Sequence, residues 1–341
     1  MLQVFVVILL LLFILFSLRK RSGRKRYKGV VGCDMDGKVV IITGANTGIG
    51  KEAARMFARL NAKVIIACRC LQSGRSAAED ISNSTQNSNI IVKECDLRSL
   101  KSVRNFVDDV LSTEERLDVL VCNAGIGGQF GRNLTEDNIE VQFQTNHLSH
   151  FLMVNLLTDL LKRSSPSRVV ITSSSAHRFG TLDIENMIRF DKYISHPFFA
   201  YSDTKLANLL FMRELSRKLK NSAVTVNALH PGAVYTNIIK YNKVWYMKII
   251  LIFLCFLQNR SVEEGAQTIV YLSSSAEVNG VTGKYFVDCQ PSNYNPTVDD
   301  RFLSKKLWDV SQQLCSLQRR FTTEDTEAAI SYSRATCTRQ Q

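Results

Sequence analysis

Lys38-Val39-Val40-Ile41-Ile42-Thr43-Gly44-Ala45-Asn46-Thr47-Gly48-Ile49-Gly50 decides the fold of this chain. Its first half is a short apolar, β-branched run that stops at glycine, the pattern of a strand buried on both faces. Beyond Gly50, Ala53, Ala54, Phe57, Ala58 and Leu60 supply the packed face of a helix. Between strand and helix lie three glycines. Glycine lets backbone approach a diphosphate with no side chain in the way, and a helix start offers unpaired N–H groups to its charge. Gly44, Asn46, Thr47, Gly48, Ile49 and Gly50 are therefore candidate dinucleotide contacts. The spacing is Gly-x-x-x-Gly-x-Gly, distinct from the more familiar Gly-x-Gly-x-x-Gly.

Outward from this stretch, short apolar runs at 63–68, 90–92, 117–122, 168–172, 224–229 and 284–287 read as further strands. Helical patterns at 100–111, 140–161, 200–220 and 262–272 separate most of them. Apolar strands alternating with helices predict an α/β fold, a Rossmann-like doubly wound parallel sheet in a single domain over 35–317. The polar segment 318–341 reads as a disordered tail.

The 341 residues carry a formal net charge of +12. Much of the excess is local: Arg19, Lys20, Arg21, Arg24, Lys25, Arg26 and Lys28 form one basic stretch, assigned to a juxtamembrane linker over 19–34. It follows an apolar run at 2–18, interrupted only by Gln3 and Ser17, whose length is near the lower limit for a bilayer span. No basic residue precedes that run, which favours an N-terminal transmembrane anchor helix over a cleaved signal peptide. The positive-inside rule keeps the body cytosolic; a single-pass protein of the endoplasmic reticulum is expected, with a mitochondrial address left open by the basic stretch. No nucleic-acid recognition module accompanies the charge, so no nucleic acid is expected as a partner. The nine cysteines contain no CxxC pair and read as reduced. The three N-x-S/T triplets, beginning at Asn83, Asn133 and Asn259, would stay unmodified on a cytosolic body. A second apolar stretch at 244–257 is too short to span a bilayer alone. A buried helix, a lid over an apolar pocket and a second membrane contact all remain open for it.

The end of the second strand selects between cofactors. A carboxylate there suits the ribose hydroxyl of NAD, and a cation suits the 2′-phosphate of NADP. Here Cys68 is followed by Arg69, the candidate for that phosphate, so NADP(H) is expected. Asp96 after the third strand could meet the adenine amine, and Asn123-Ala124-Gly125 closes the fourth strand beside the cofactor. Tyr201 and Lys205 are one helical turn apart and share a face. A tyrosine is a poor base near its ordinary pKa of about 10, and a neighbouring ammonium favours the phenolate. Ser173-Ser174-Ser175 ends the preceding strand and offers hydroxyls to a substrate oxygen. His147 and His150 share a helix face, but no third ligand has metal-site spacing, and no metal is expected. His177 and His196 are candidates for the pocket mouth.

Taken together these residues resemble the short-chain dehydrogenase/reductase family over nearly the whole body. The resemblance rests on Thr43-Gly-x-x-x-Gly-x-Gly50, Cys95-Asp96-Leu97, Asn123-Ala-Gly125, Asn146, the serine run, Tyr201-x-x-x-Lys205 and Pro231-Gly232. Ala67-Cys68-Arg69, Asn146-His147-Leu148-Ser149-His150-Phe151, Ser174-Ser175-Ala176-His177 and Lys205-Leu206-Ala207-Asn208 look closer to the retinol-dehydrogenase-like branch. Ser149 stands where many relatives have glycine. The resemblance implies that Asn146 holds a water in a proton relay and that Ser174 polarises a carbonyl, with Ser173 as its rival in the serine run. It implies that Tyr201 is the general acid or base, and that Lys205 tunes Tyr201 and binds ribose. Leu97, Pro231, Gly232 and Thr236 join the cofactor contacts on the same ground.

The implied function is a membrane-anchored NADP(H)-dependent oxidoreductase interconverting an apolar alcohol and its aldehyde or ketone, with retinol and retinal as the leading guess. The partners are an apolar small molecule and the membrane, through 2–18 and in one reading 244–257; a homo-oligomer is compatible with the sequence. Three alternatives stay open: a steroid or lipid-aldehyde reductase of the same family, a non-catalytic NADP(H) sensor or scaffold, and an epimerase or dehydratase using the same Tyr-Lys pair.

Overall fold

The computed structural model describes residues 32–128, 133–184, 197–236, 248–249, 252–253, 255–256 and 260–316. The expected anchor at 2–18, most of the basic linker, His196 and the tail at 318–341 lie outside them. Among the described residues no helix is long and apolar enough to cross a membrane.

Eight strands form one sheet in the order β3-β2-β1-β4-β5-β6-β7-β8. They are β1 (Val39–Thr43), β2 (Lys63–Cys68), β3 (Ile90–Glu94), β4 (Val119–Cys122), β5 (Ser167–Thr172), β6 (Val224–His230), β7 (Tyr285–Val287) and β8 (Gln290–Pro291). The first seven are parallel. The chain starts in the middle, at β1, winds out to β3, then returns past β1 to β4. The resulting switch point lies between β1 and β4, where ligands bind beyond the carboxyl ends of such strands. Among the described residues, seven helices of twelve or more residues cover the faces: α1 (Gly48–Arg59), α2 (Leu71–Thr85), α3 (Leu100–Thr113), α4 (Ser149–Arg163), α5 (Pro197–Lys218), α6 (Val262–Ser274) and α7 (Arg301–Ser316).

Strand alternation splits the core in two. Val39, Ile41, Ile65, Leu120, Val169 and Ile171 face the layer that includes α3, α4 and α5. Val40, Ile42, Val64, Ile66, Val121 and Val170 face the layer of α1 and α6. The central strands therefore have no polar face to alternate, which is why they read as unbroken apolar runs.

Three features depart from the sequence reading. The helix expected over 140–161 is broken: Val141–Phe143 is one α-turn, Gln144–Leu148 is a π-helical turn, and α4 begins only at Ser149. The sheet is not wholly parallel, because β8 returns antiparallel to β7. Its hairpin turn is Asp288-Cys289, both at positive φ, the conformation of a two-residue type I′ loop. Finally, the described part of 244–257 is helical but not a buried helix: Ile249, Ile252, Phe253 and Phe256 are exposed, at i, i+3, i+4 and i+7.

Candidate active site

The glycine turn is shaped by β4. Gly44 has φ +67, and a Cβ there would lie 3.0 Å from that of Ala124. A Cβ on Gly50 would lie 2.5 Å from Asn123 Nδ2 and 2.7 Å from the Gly44 carbonyl oxygen. These two glycines let the turn fold tightly against the adjacent strand end. Gly48, at φ +58, instead faces Thr236, whose Cγ2 would be 3.5 Å from an added Cβ. Thr47 is exposed and makes no side-chain cap to α1, so the helix start keeps its N–H groups directed at the turn. The Ile49 side chain packs toward α6, where a Cβ on Gly265 would touch it at 3.3 Å. Its contribution to a ligand is therefore its backbone. Asn46 Nδ2 donates to Ser73 Oγ at 3.0 Å, tying the turn to the start of α2. A cradle built this way, with a helix N-terminus behind it, fits the diphosphate of a dinucleotide.

Arg69 is exposed at the end of β2 and has no hydrogen bond or ion pair with the described residues. Its charge acts on Asp96, whose carboxyl is held below the usual carboxylate range, burial being outweighed by Arg98 and Arg69. Asp96 is turned onto Arg98, with the closest contact at 2.6 Å. Lys51, another cation near the turn, is paired with Asp80 at 2.7 Å. Leu97 is buried, and its carbonyl accepts the Ser149 hydroxyl at 2.7 Å. That bond gives the serine at 149 a structural role where glycine would leave the carbonyl without this partner.

Asn123 is turned inward. Its Nδ2 donates to the Thr43 carbonyl at 2.9 Å, and its own N–H donates to Thr43 Oγ1 at 2.9 Å. The side chain thus stitches β1 to β4 instead of reaching into the cleft. Gly125 and Gly127 carry the loop over the reactive groups. A Cβ on Gly125 would lie 3.2 Å from both Asn146 Oδ1 and Lys205 Nζ, and one on Gly127 would lie 3.1 Å from the Tyr201 ring. Gly127 was not among the sequence candidates; the Gly-x-Gly spacing at 125–127 was the available signal.

Asn146 sits fully buried in the π-turn. Widened turns of this kind recur at functional sites because they reorient a backbone carbonyl. Its Nδ2 donates to the Ile126 carbonyl at 2.9 Å and to Thr204 Oγ1 at 3.0 Å. Lys205 is 2% exposed, with Nζ 5.5 Å from the Tyr201 ring centroid and 3.3 Å from the Thr172 carbonyl oxygen. Of the serines, Ser173 donates its hydroxyl to the Lys205 carbonyl at 2.8 Å and is buried. Ser174 caps the short helix Ser175–Phe179, accepting from Ala176 N at 3.2 Å, and is hydrogen-bonded to the Tyr201 phenol. The structure therefore brings Ser174, not Ser173, to Tyr201.

Electrostatics differ from the simple expectation. Burial pushes the Tyr201 phenol up to about 12, and the Ser174 hydrogen bond only partly opposes it. Burial prevails over the neighbouring Lys205, whose own ammonium is drawn down to about 8 by the same loss of water. Withdrawing both groups from water costs more than their mutual attraction returns. Tyr201 is thus a phenol carrying its proton, poised as a donor.

Pro231-Gly232 follows β6. Gly232 has φ +85, and a Cβ there would meet the Arg260 guanidinium at 2.5 Å. Arg260 donates to the Pro231 carbonyl at 3.2 Å and pairs with Asp288 at 2.5 Å. Sequence reading missed Arg260 and Asp288, whose pairing depends on the β7–β8 hairpin. Arg260 also lines a cleft of about 820 Å³ together with Tyr235, Ile252, Cys255, Phe256 and Gln267. His177 lies beside the serine, with Nδ1 2.5 Å from the Ser174 carbonyl. The cysteines among the described residues are free, and no cluster of potential metal ligands occurs among them.

The short chain dehydrogenase family profile matches residues 38–246. Retinol dehydrogenase 14 from Homo sapiens is 41% identical over 311 residues, which cover 87% of this chain and 91% of the relative. Retinol dehydrogenase 12 from Mus musculus is 39% identical over 320 residues, covering 93% and 99%. Among solved structures, an uncharacterized protein from Mycobacterium Paratuberculosis aligns with a TM-score of 0.67 at 31% identity, covering 85% of this chain and 98% of that one. RhlG from Pseudomonas aeruginosa, solved as an NADP active-site complex, shares the fold with a TM-score of 0.61 at 23% identity, covering 76% and 97%. The chain belongs to the short-chain dehydrogenase/reductase family, in its retinol-dehydrogenase-like branch, and is an oxidoreductase acting on CH–OH donors.

Proposed function

We propose that this protein is a membrane-anchored NADP(H)-dependent oxidoreductase that interconverts an apolar alcohol and its aldehyde or ketone, with retinol and retinal as the leading pair. The observation that carries the reading is the contact of Ser174 with the protonated Tyr201 phenol, beside a buried Lys205 and the glycine cradle of α1. A nicotinamide held there would supply the hydride for reduction and accept it in oxidation. Tyr201 gives its proton to the substrate oxygen in reduction and recovers it in oxidation. Ser174 donates a hydrogen bond to the same oxygen as charge develops on it. Lys205 stabilises the phenolate left behind and holds the ribose. Asn146 holds a water that returns the proton from solvent.

NADP is favoured over NAD by the exposed Arg69 at the end of β2, which has no partner among the described residues. A retinoid is favoured by the names of the relatives and by the apolar face at Ile249, Ile252, Phe253 and Phe256. A steroid or lipid-derived aldehyde fits the same face. That face and the apolar run at 2–18 support attachment to a membrane, with 19–34 as basic linker, 35–317 as catalytic domain and 318–341 as tail. The basic stretch favours a body in the cytosol, with the endoplasmic reticulum as the expected membrane.

Full-length protein is to be assayed with retinaldehyde, a steroid ketone and a medium-chain aldehyde, each with NADPH and NADH. Turnover of retinaldehyde with NADPH is expected. Tyr201→Phe should abolish turnover and keep NADPH binding; an active Tyr201→Phe enzyme would remove Tyr201 from the reaction.

A further inference from the structure

His150 on α4 is buried and touches both halves of the site. Its Nδ1 is 3.2 Å from the main-chain carbonyl oxygen of Asn146, and its Nε2 is 2.9 Å from Thr43 Oγ1. Thr43 Oγ1 also receives the backbone N–H groups of Asn123, at 2.9 Å, and Ala124, at 3.0 Å. A hydroxyl has two lone pairs and one hydrogen. The two N–H groups can only donate, so they occupy both lone pairs. The hydroxyl hydrogen must then go to an acceptor. His150 Nε2 is at 2.9 Å, and the competing Val121 carbonyl is at 3.4 Å. Nε2 is therefore bare. A carbonyl can only accept, so Nδ1, facing Asn146, carries the ring proton. One neutral tautomer matches every donor with an acceptor. The opposite tautomer would place three donors on two lone pairs and set a bare nitrogen against a carbonyl oxygen.

We infer that His150 is a positioning residue, a clamp in its Nδ1–H form that holds the Asn146 carbonyl in the π-turn at a set distance from the Thr43 hydroxyl at the head of the glycine turn. The clamp sets the register between the residues that would cradle a dinucleotide and those that would move a proton. Thr43 precedes Gly44 in the chain, and its hydroxyl also holds the Asn123-Ala124 turn. Asn146 reaches Ile126 and Thr204, next to Lys205. Burial and the Lys205 charge both disfavour the imidazolium, drawing His150 down to about 4, so the neutral ring persists through the working range. His147, three residues earlier, takes no part: its Nε2 meets Ser311 Oγ at 3.1 Å and its ring stacks on Phe143. The inference rests on the assignment of Asn146 and Tyr201 to the reaction, and not on any particular substrate.

The test is ¹⁵N-histidine NMR of the full-length protein, with the His150 signals identified by their loss in His150→Asn and His150→Gln. Nδ1 is expected to be protonated and Nε2 bare, unchanged between about pH 6 and about pH 9. A protonated Nε2 overturns the clamp. The two variants divide its arms. Asn can still donate from the Nδ1 position to Asn146 but reaches no further, and Gln can still accept from Thr43 but no longer donates to Asn146. His150→Asn is expected to weaken cofactor binding about five-fold or more. His150→Gln is expected to lower kcat about ten- to a hundred-fold with cofactor binding nearly unchanged. Lower thermal stability with neither parameter altered in the folded fraction would mean a purely structural histidine and would overturn the inference. If neither variant folds, His150 is identified instead by its signals' response to cofactor, and the tautomer of the wild-type protein still decides. An active Tyr201→Phe enzyme would sink the site assignment while leaving the tautomer result standing, so the two failures are distinguishable.

Discussion

The Asn146 side chain and the Ile126 backbone exchange two hydrogen bonds: Nδ2 donates to the Ile126 carbonyl at 2.9 Å, and the Ile126 N–H donates to Oδ1 at 2.8 Å. The amide thus completes, for the loop after β4, the kind of ladder that a neighbouring strand would provide. It also fixes which way the π-turn faces. Asn146→Ala would leave both Ile126 groups without that partner in a largely buried place. A stability loss of about 1–3 kcal/mol is expected. Because Gly125 and Gly127 lie against Lys205 and Tyr201, a kcat fall on the order of a hundred-fold should accompany it. Thermal denaturation and single-turnover rates would check the pair; a stable, fully active Asn146→Ala protein contradicts the assignment.

The two neighbouring serines should separate cleanly. Ser174 meets the Tyr201 phenol, so Ser174→Ala is expected to lower kcat by roughly 10² to 10³ with little effect on folding. Ser173 instead spends its hydroxyl on the Lys205 carbonyl. Ser173→Ala should therefore show mainly a stability loss of about 1 kcal/mol. Steady-state kinetics and melting curves on both variants decide it, and the reverse pattern would transfer the carbonyl-polarising role to Ser173.

Cofactor choice is predicted to reside at Arg69. Its guanidinium has no competing partner among the described residues, so a 2′-phosphate would not have to displace one. Arg69→Ala should weaken NADPH binding by about ten- to a hundred-fold, the worth of a charged hydrogen bond. NADH binding should hardly change. Fluorescence titration with each nucleotide gives the ratio directly; an unchanged ratio would move the phosphate contact elsewhere.

Burial of Lys205 has consequences for both rate and stability. Its ammonium falls from an ordinary 10.5 to about 8 in the folded protein. Across that interval the unfolded chain binds more protons than the native one, so stability should rise with pH from about 8 toward 10.5. Below that window the native state bears the full cost of an ammonium out of water. Lys205→Met should therefore raise the melting temperature at neutral pH, by up to about 1–3 kcal/mol in stability, while abolishing turnover. In the active enzyme, reduction should slow as pH rises through about 8, when Lys205 loses the charge that stabilises a Tyr201 phenolate. A pH profile of kcat/KM without that descending limb would exclude Lys205 as its source.

The fold was legible because each central strand is an unbroken apolar run closed by a polar or small residue at its carboxyl end. Burial on both faces removes the alternation that could be confused with an exposed strand. The hairpin to β8 was not legible: its turn is Asp288-Cys289, without the glycine that marks such loops, and it is held by Arg260 on one residue and Thr268 on the other. The π-turn was equally hidden. Residues 140–161 keep helical periodicity on both sides of it, and one extra residue in a turn leaves no compositional mark.

Sequence alone determined the order of the strands' contents, the glycine turn and the candidate site residues, because local spacing and residue chemistry suffice for those. Tertiary structure alone decided how the polar groups are used. It turned Asn123 and Asp96 onto neighbours, set Ser174 rather than Ser173 against Tyr201, and kept the phenol protonated. The reason is physical: hydrogen-bond partners and loss of solvent are supplied by elements distant in the chain, and only folding brings them into contact.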